Sequence, residues 1–205
     1  MHKPTRNESN LPHPGPQPDD LRDIRELNLL FLVLLQGRAR RDADCFGLAA
    51  PVKRRLRDAS DAAVEGMSRF PRTVFRLNLD CIKSGPDIPA ERDGQLRRAR
   101  HALSLTAALM AWNMARQRCF HARVYLGLSE DETLKLQACP MMKLHEYAEH
   151  PAFLRCAFPN SVGLWTRLVQ YGERGLPRKI QLLGLQPKLL GESGEIRIPY
   201  SSRIA

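Results

Sequence analysis

Leucine-rich apolar positions recur along this chain in two long blocks, and each block runs into the same series of breaks. From Ala102 to about Phe120 there is no Gly or Pro, and Leu103, Leu105, Ala107, Leu109, Met110, Trp112 and Met114 cover more than one helical face. That pattern predicts a long helix that is buried or packed against a partner. Gly127 tolerates a left-handed backbone and ends the segment. Ser129 stands three before Glu132, a capping box that opens a new short helix running to about Ala138. Pro140 interrupts, and a second short helix, Met141–Glu149, stops before Pro151 because the residue before proline avoids helical geometry. Two short helices joined by a tight turn make the outline of a helix-turn-helix.

The same plan occurs earlier at an offset of 80 residues. Leu29 falls on Leu109, Arg38 on Arg118, Gly47 on Gly127, Leu48 on Leu128, Leu56 on Leu136 and Pro71 on Pro151. Leu30/Met110, Leu34/Met114, Phe46/Leu126, Val64/Leu144 and Val74/Leu154 match in class. The expected fold is therefore mainly α: a duplicated unit of one long helix plus two short, helix-turn-helix-like helices, followed by an irregular C-terminal tail. Two units are too few for a solenoid, so a unit packed on its own copy is the simpler architecture.

Boundaries follow from composition. Residues 1–20 carry five prolines and almost no apolar side chains, and read as a disordered arm. The first copy spans 21–83: a long helix from Leu21 to Arg41, a short helix over Ala50–Asp58 with Pro51 in its first turn, and a helix Asp61–Phe70 capped by Ser60. Arg72–Leu79 alternates weakly, as an extended segment or short strand does. Residues 84–95, with two prolines and two glycines, form the linker. The second copy spans 96–171 and includes a helix over Val162–Tyr171. Residues 172–205 are a Gly/Pro-rich extension without helical period, expected as short pieces with a hairpin turn at Gly191–Gly194.

The 205 residues are 43% hydrophobic and 26% charged, as in soluble proteins, and can bury a core. The net charge of +10 is unusual and makes an acidic partner the first expectation, with nucleic acid ahead of a membrane surface. The first 20 residues lack the apolar core of a signal peptide, and Leu27–Leu35 is about half a membrane span. Five irregularly spaced cysteines in such a chain point to reduced thiols and a cytoplasmic location.

The cations are clustered. Arg38, Arg40 and Arg41 end the first long helix, where they serve either the helix dipole or a phosphate. Lys53, Arg54, Arg55 and Arg57 put one sign of charge on a single short helix, more suggestive of a polyanion than of an ordinary mixed surface. Arg97, Arg98 and Arg100 lead into the second long helix, and Arg116, Arg118 and Arg123 follow it. Lys143 is the one firm cation of the second short helix, and Arg174, Arg178 and Lys179 lie in the extension. These are the candidate DNA-binding residues, with contacts mainly to the backbone.

Other chemistries are poorly represented. Cys119, His121, Cys139, His145, His150 and Cys156 lack the close pairing of structural zinc sites, although His145 and His150 are an allowed pair. No G-x-S-x-G, P-loop or G-x-G-x-x-G occurs, and the acids sit at helix starts and on solvated faces. Neither an enzyme nor a cofactor is expected.

The second block resembles the FlhD/FlhC-type transcriptional activator family, and FlhD in particular. The residues that carry the likeness are LSLTAALMAWNMARQR, then LGLSEDE at Leu126–Glu132, MMKLHEYAE at Met141–Glu149, FLRCAF, and TRL at Thr166–Leu168. About 65 residues match well, and the first copy more loosely. The resemblance implies a DNA-binding transcription regulator that acts on double-stranded DNA within a heteromeric complex, of the kind found on integrating conjugative elements and plasmids. It implies an FlhC-like protein subunit as partner, RNA polymerase as a further one, and homo-oligomers, but no membrane. The paired C-x2-C ligands of FlhC are absent here. The rival expectation is a helical protein–protein adaptor, a partition or secretion accessory, that does not touch DNA.

Overall fold

Asp19 and Asp20 place negative charge in the first turn of helix α1 (Pro18–Arg40), and Arg38 and Arg40 occupy its last turn. Both ends thus complement the helix dipole. In the computed structural model, which describes residues 18–83 and 93–185, α1 is followed by α2 (Ala50–Arg57), α3 (Asp61–Ser68) and strand β1 (Phe75–Leu77). A single 3-10 turn covers Cys81–Lys83. The second half contains α4 (Gly94–Gln117), α5 (Cys119–Leu126), α6 (Glu130–Gln137), α7 (Met141–Glu149) and strand β2 (Leu154–Cys156), and α8 (Val162–Gly172) and α9 (Arg178–Gly184) complete the described chain. The protein is mainly α, with one two-stranded sheet among the described residues.

Element order in the two halves is similar except that α5 has no counterpart in the first, so the expected unit of one long and two short helices does not describe the second half. α2 and α6 begin at Ala50 and Glu130, and α3 and α7 at Asp61 and Met141, each pair 80 residues apart. α1 packs on α2 and α3, and α4 packs on α6 and α7. Positions matched by the offset are buried alike: Phe46 and Leu126, Leu56 and Leu136, Val64 and Leu144, Val74 and Leu154. Gly47 and Gly127 both have positive φ, +81° and +69°. In both halves the long helix also supplies a donor to the carbonyl that closes the first short helix. Gln36 Nε2 donates to Ala59 O at 2.7 Å, and Trp112 Nε1 donates to Cys139 O, the matched carbonyl, at 2.9 Å.

The halves meet through α1 and α4 and through the sheet. β1 and β2 pair antiparallel, with Phe75 opposite Cys156, Arg76 opposite Arg155 and Leu77 opposite Leu154. α1 and α4 run antiparallel: Arg41 reaches Asp93 at one end (3.1 Å), and Arg118 reaches Asp20 at the other (2.7 Å). Phe31 links the core by stacking obliquely on Phe46 and Phe75. α8 lies on α2 and α3, with Trp165 fully buried and its indole N–H donated to Phe158 O at 2.8 Å.

Several boundaries differ from the sequence expectation. The expected helix 102–120 begins already at Gly94, because the Asp93 side chain accepts from Gln95 N (2.8 Å) and Leu96 N (3.1 Å) as an N-cap. It stops at Arg118 (φ −145°, ψ 63°), where the side chain reaches Asp20, and α5 starts as a new helix. Residues 18–20, expected in the disordered arm, are the first turn of α1. The apolar end expected after α7 contains strand β2, and α9 stands where the expectation is irregular chain. The rest of the N-terminal arm, most of the linker, and the end of the extension with its expected Gly191–Gly194 turn lie outside the described residues. Among the described residues no helix is long and apolar enough to cross a membrane.

Candidate nucleic-acid interface

The C-terminal turn of α1, the whole of α2 and the first turns of α4 come together at one end of the molecule. Three contacts fix this. Gln36 of α1 donates to the end of α2, Lys53 of α2 binds Asp42 beyond α1 at 2.6 Å, and Arg41 binds the N-cap Asp93 of α4 at 3.1 Å. α2 orients its own cations. Val52 and Leu56 are fully buried against the core, which leaves Arg54, Arg55 and Arg57 exposed and Lys53 half-buried. One face in and one face out is what the 3.6-residue period requires.

This end therefore presents Arg40, Arg54, Arg55, Arg97 and Arg98, all exposed and without an ion pair among the described residues. Their neighbours Arg41, Lys53 and Arg57 are held by Asp93, Asp42 and Asp58. Lys53 keeps the Asp42 carboxyl below the usual carboxylate range by hydrogen bond and charge. The Leu96 backbone N–H does the same for Asp93. Asp58 raises the Arg57 guanidinium.

Three of the expected DNA contacts are corrected by the fold. Arg38 is buried: it lies 4.7 Å over the Phe46 ring and donates to the Asp44 carbonyl. Arg100 is buried and donates to His150 O (3.1 Å) and Glu149 O (3.3 Å), closing the end of α7. Arg118 joins the buried Asp20 to the break between α4 and α5. Arg38 and Arg100 are buried and Arg118 is partly exposed, and each reaches an acceptor within the fold, so these side chains are engaged by the protein itself.

The remaining cations are dispersed. Arg116 lies 4.6 Å over Trp112, and Arg123 pairs with Glu130 at 3.6 Å, both in the half whose α6 opens with Glu130, Asp131 and Glu132. Arg174, Arg178 and Lys179 are exposed beyond α8 and along the start of α9. Lys143 is exposed on α7, next to Met141 (55% exposed) and Met142 (75%). As a groove-reading helix α7 has one cation among apolar and acidic neighbours. α3, its counterpart, is covered by α1 on one side and α8 on the other, so it cannot enter a groove.

The cysteines and histidines weighed for zinc do not converge. Cys139 and Cys156 are buried, and no group of three potential ligands forms a metal-binding arrangement among the described residues. Burial pushes the Cys156 thiol up to about 12.

Sequence reading missed the tie of Asp20 to Arg118 and His121, and the arginines around the sheet. Neither has a local pattern, since the partners lie far apart in the chain. Comparison with known proteins adds no match: no family model, curated protein or solved structure aligns with the chain.

Proposed function

We propose that this chain is a cytoplasmic, DNA-binding subunit of a transcriptional regulator of the FlhD/FlhC type, built from two FlhD-like halves and acting on mobile-element or conjugative-transfer genes. The observation that carries this reading is that Arg40, Arg54, Arg55, Arg97 and Arg98 are all exposed on three elements, α1, α2 and α4, of which α2 and α4 are both tied to the C-terminal end of α1. Cations of this kind engage the sugar-phosphate backbone and fix register without reading bases. Base readout then falls to an FlhC-like partner, and activation to contact with RNA polymerase. The resemblance supplies those partners, and the poverty of α7 as a reading helix supports a need for one.

The measurement that tests this is fluorescence anisotropy on a labelled duplex across a salt series, with and without a candidate partner. A patch neutralising about four phosphates loses roughly 4,000-fold in affinity per tenfold rise in salt, at about 0.9 log units per phosphate. The adaptor reading rests on a different observation: Leu134, Met141 and Met142 are exposed around the α6–α7 corner, a composition suited to adaptable protein contacts. Under that reading the duplex binds weakly at all salt concentrations and a protein partner binds regardless of salt.

A further inference from the structure

The two-stranded sheet carries a like-charge pair that its own stability does not favour. Arg76 and Arg155 are directly opposite in register, a placement that costs energy between strands. Only one carboxylate answers them among the described residues: Glu132 Oε1 lies 3.3 Å from the Arg76 guanidinium. Arg155 has no ion pair among the described residues.

A third arginine makes the arrangement harder to explain as packing. Arg72 precedes β1, and its guanidinium is pressed onto the hinge at Gly127, where a β-carbon would fall 1.8 Å from Nη2. Its Nε is buried with no hydrogen-bond acceptor. The backbone around it is pinned on both sides: Asn28 Nδ2 donates to Arg72 O at 2.9 Å, and Thr73 N donates to Tyr125 O at 2.9 Å. Burial brings the Arg72 guanidinium down to about 10, and the charge of Arg76 adds to that effect. A buried guanidinium N–H lacking an acceptor is expensive. Arg100 and Arg118 also carry a buried Nε of this kind, but their terminal nitrogens reach His150 O, Glu149 O and Asp20, and Arg38 donates to Asp44 O.

We propose that Arg72, Arg76 and Arg155 form an anion site on the sheet that takes a phosphate group. Guanidinium forks bind phosphate oxygens in bidentate fashion, and arginine sheds water more readily than lysine. Glu132 sits at the edge of the site, so a singly or doubly charged phosphate is opposed by one carboxylate and attracted by three cations. The site is separate from the basic end formed by α1, α2 and α4. It stands or falls independently of DNA binding there.

The test is thermal unfolding of the full chain in inorganic phosphate against chloride at equal ionic strength, for wild type, R72M, R72K and R155M. Wild type is expected to gain a saturable rise in Tm with phosphate. R72M is expected to lose that rise while its Tm without phosphate is unchanged or higher, because an unsatisfied buried donor is gone. R72K keeps the charge but not the fork, and is expected to recover only part of the rise. No saturable rise in wild type overturns the site, as does a full rise in R72M. Should R72M fail to fold, R155M decides: a full rise there overturns the proposal and a reduced one supports it. Repeating the series with a short duplex, in the K53A/R54A/R55A/R57A background, identifies the source. A duplex-dependent rise lost in R72M assigns the sugar-phosphate backbone, and a rise with inorganic phosphate alone assigns a small phosphate.

Discussion

Gly66 of α3 and Gly172 of α8 meet backbone to backbone: a β-carbon on Gly66 would lie 1.7 Å from the Gly172 carbonyl oxygen. The reverse approach is similar, with a Gly172 β-carbon 2.3 Å from Ala63 O. Backbone cannot move aside as a side chain can. G66A is therefore expected to destabilise by roughly 3 kcal/mol or more, at the upper end of overpacking effects. Gly163, in the same α8, has open space around its β position, and G163A is expected to stabilise by about 0.5–1 kcal/mol. Urea unfolding of the two variants checks the contrast; equal effects would mean that α8 does not seat on α3.

Asn28 is the polar centre of the first half. Its amide donates to Ser68 O (3.3 Å), Phe70 O (3.1 Å) and Arg72 O (2.9 Å), and its oxygen accepts from Val74 N at 2.9 Å. These groups close α3 and set the entry to β1. N28A leaves several buried backbone groups without a partner, each costing about 1–3 kcal/mol, so a loss of roughly 3 kcal/mol is expected by chemical denaturation. A loss under about 1 kcal/mol would show that water replaces the amide.

Alkaline pH is expected to weaken the fold through its thiols. Burial pushes Cys45 and Cys81 up to about 11 and Cys156 to about 12, from an ordinary value of 9.0. Above pH 9 the unfolded chain gives up these protons while the folded chain keeps them. Stability is then constant below about pH 9 and falls as pH climbs toward 11–12, by up to about 1.4 kcal/mol per pH unit for each thiol. Urea midpoints measured between pH 8 and 10.5 check this, and C156A is expected to flatten the decline. An unchanged slope in C156A would remove Cys156 from the account.

Much of this was legible in the sequence, for local reasons. Ser129 and Glu132 form the capping box in full, with Ser129 Oγ accepting from Glu132 N at 3.1 Å and Glu132 Oε2 accepting from Ser129 N at 2.7 Å. Val52 and Leu56 fix which side of α2 is buried by their spacing alone. The break at Arg118 was not legible, since no Gly or Pro marks it and its partner Asp20 lies on α1. Pairing of β1 with β2 joins residues 79 apart, such as Arg76 and Arg155, and no short window contains both. α9 is seven residues long, too short to display a period.

The candidate cations show the same division. Sequence grouped Arg38 with Arg40 and Arg41, yet about half a turn of helix sends Arg38 into the core and Arg40 to the surface. Charge clustering identifies where cations are dense. Only the fold separates those that close a helix, as Arg100 does, from those that face solvent.

The proposed engagement of the DNA backbone by α2 and its neighbours is tested most directly by the salt dependence of duplex binding for the K53A/R54A/R55A/R57A variant against wild type. Arg54, Arg55 and Arg57 are exposed and Lys53 is half-buried on α2, so folding is expected to survive, with each exposed change worth roughly 0.5 kcal/mol or less. Lys53 and Arg57 release Asp42 and Asp58, whose carboxylates are exposed, which subtracts little. The account predicts weaker binding to every duplex sequence tested and a salt slope flatter by about 0.9 for each phosphate that is no longer neutralised. A folded variant with wild-type affinity and an unchanged slope would contradict it.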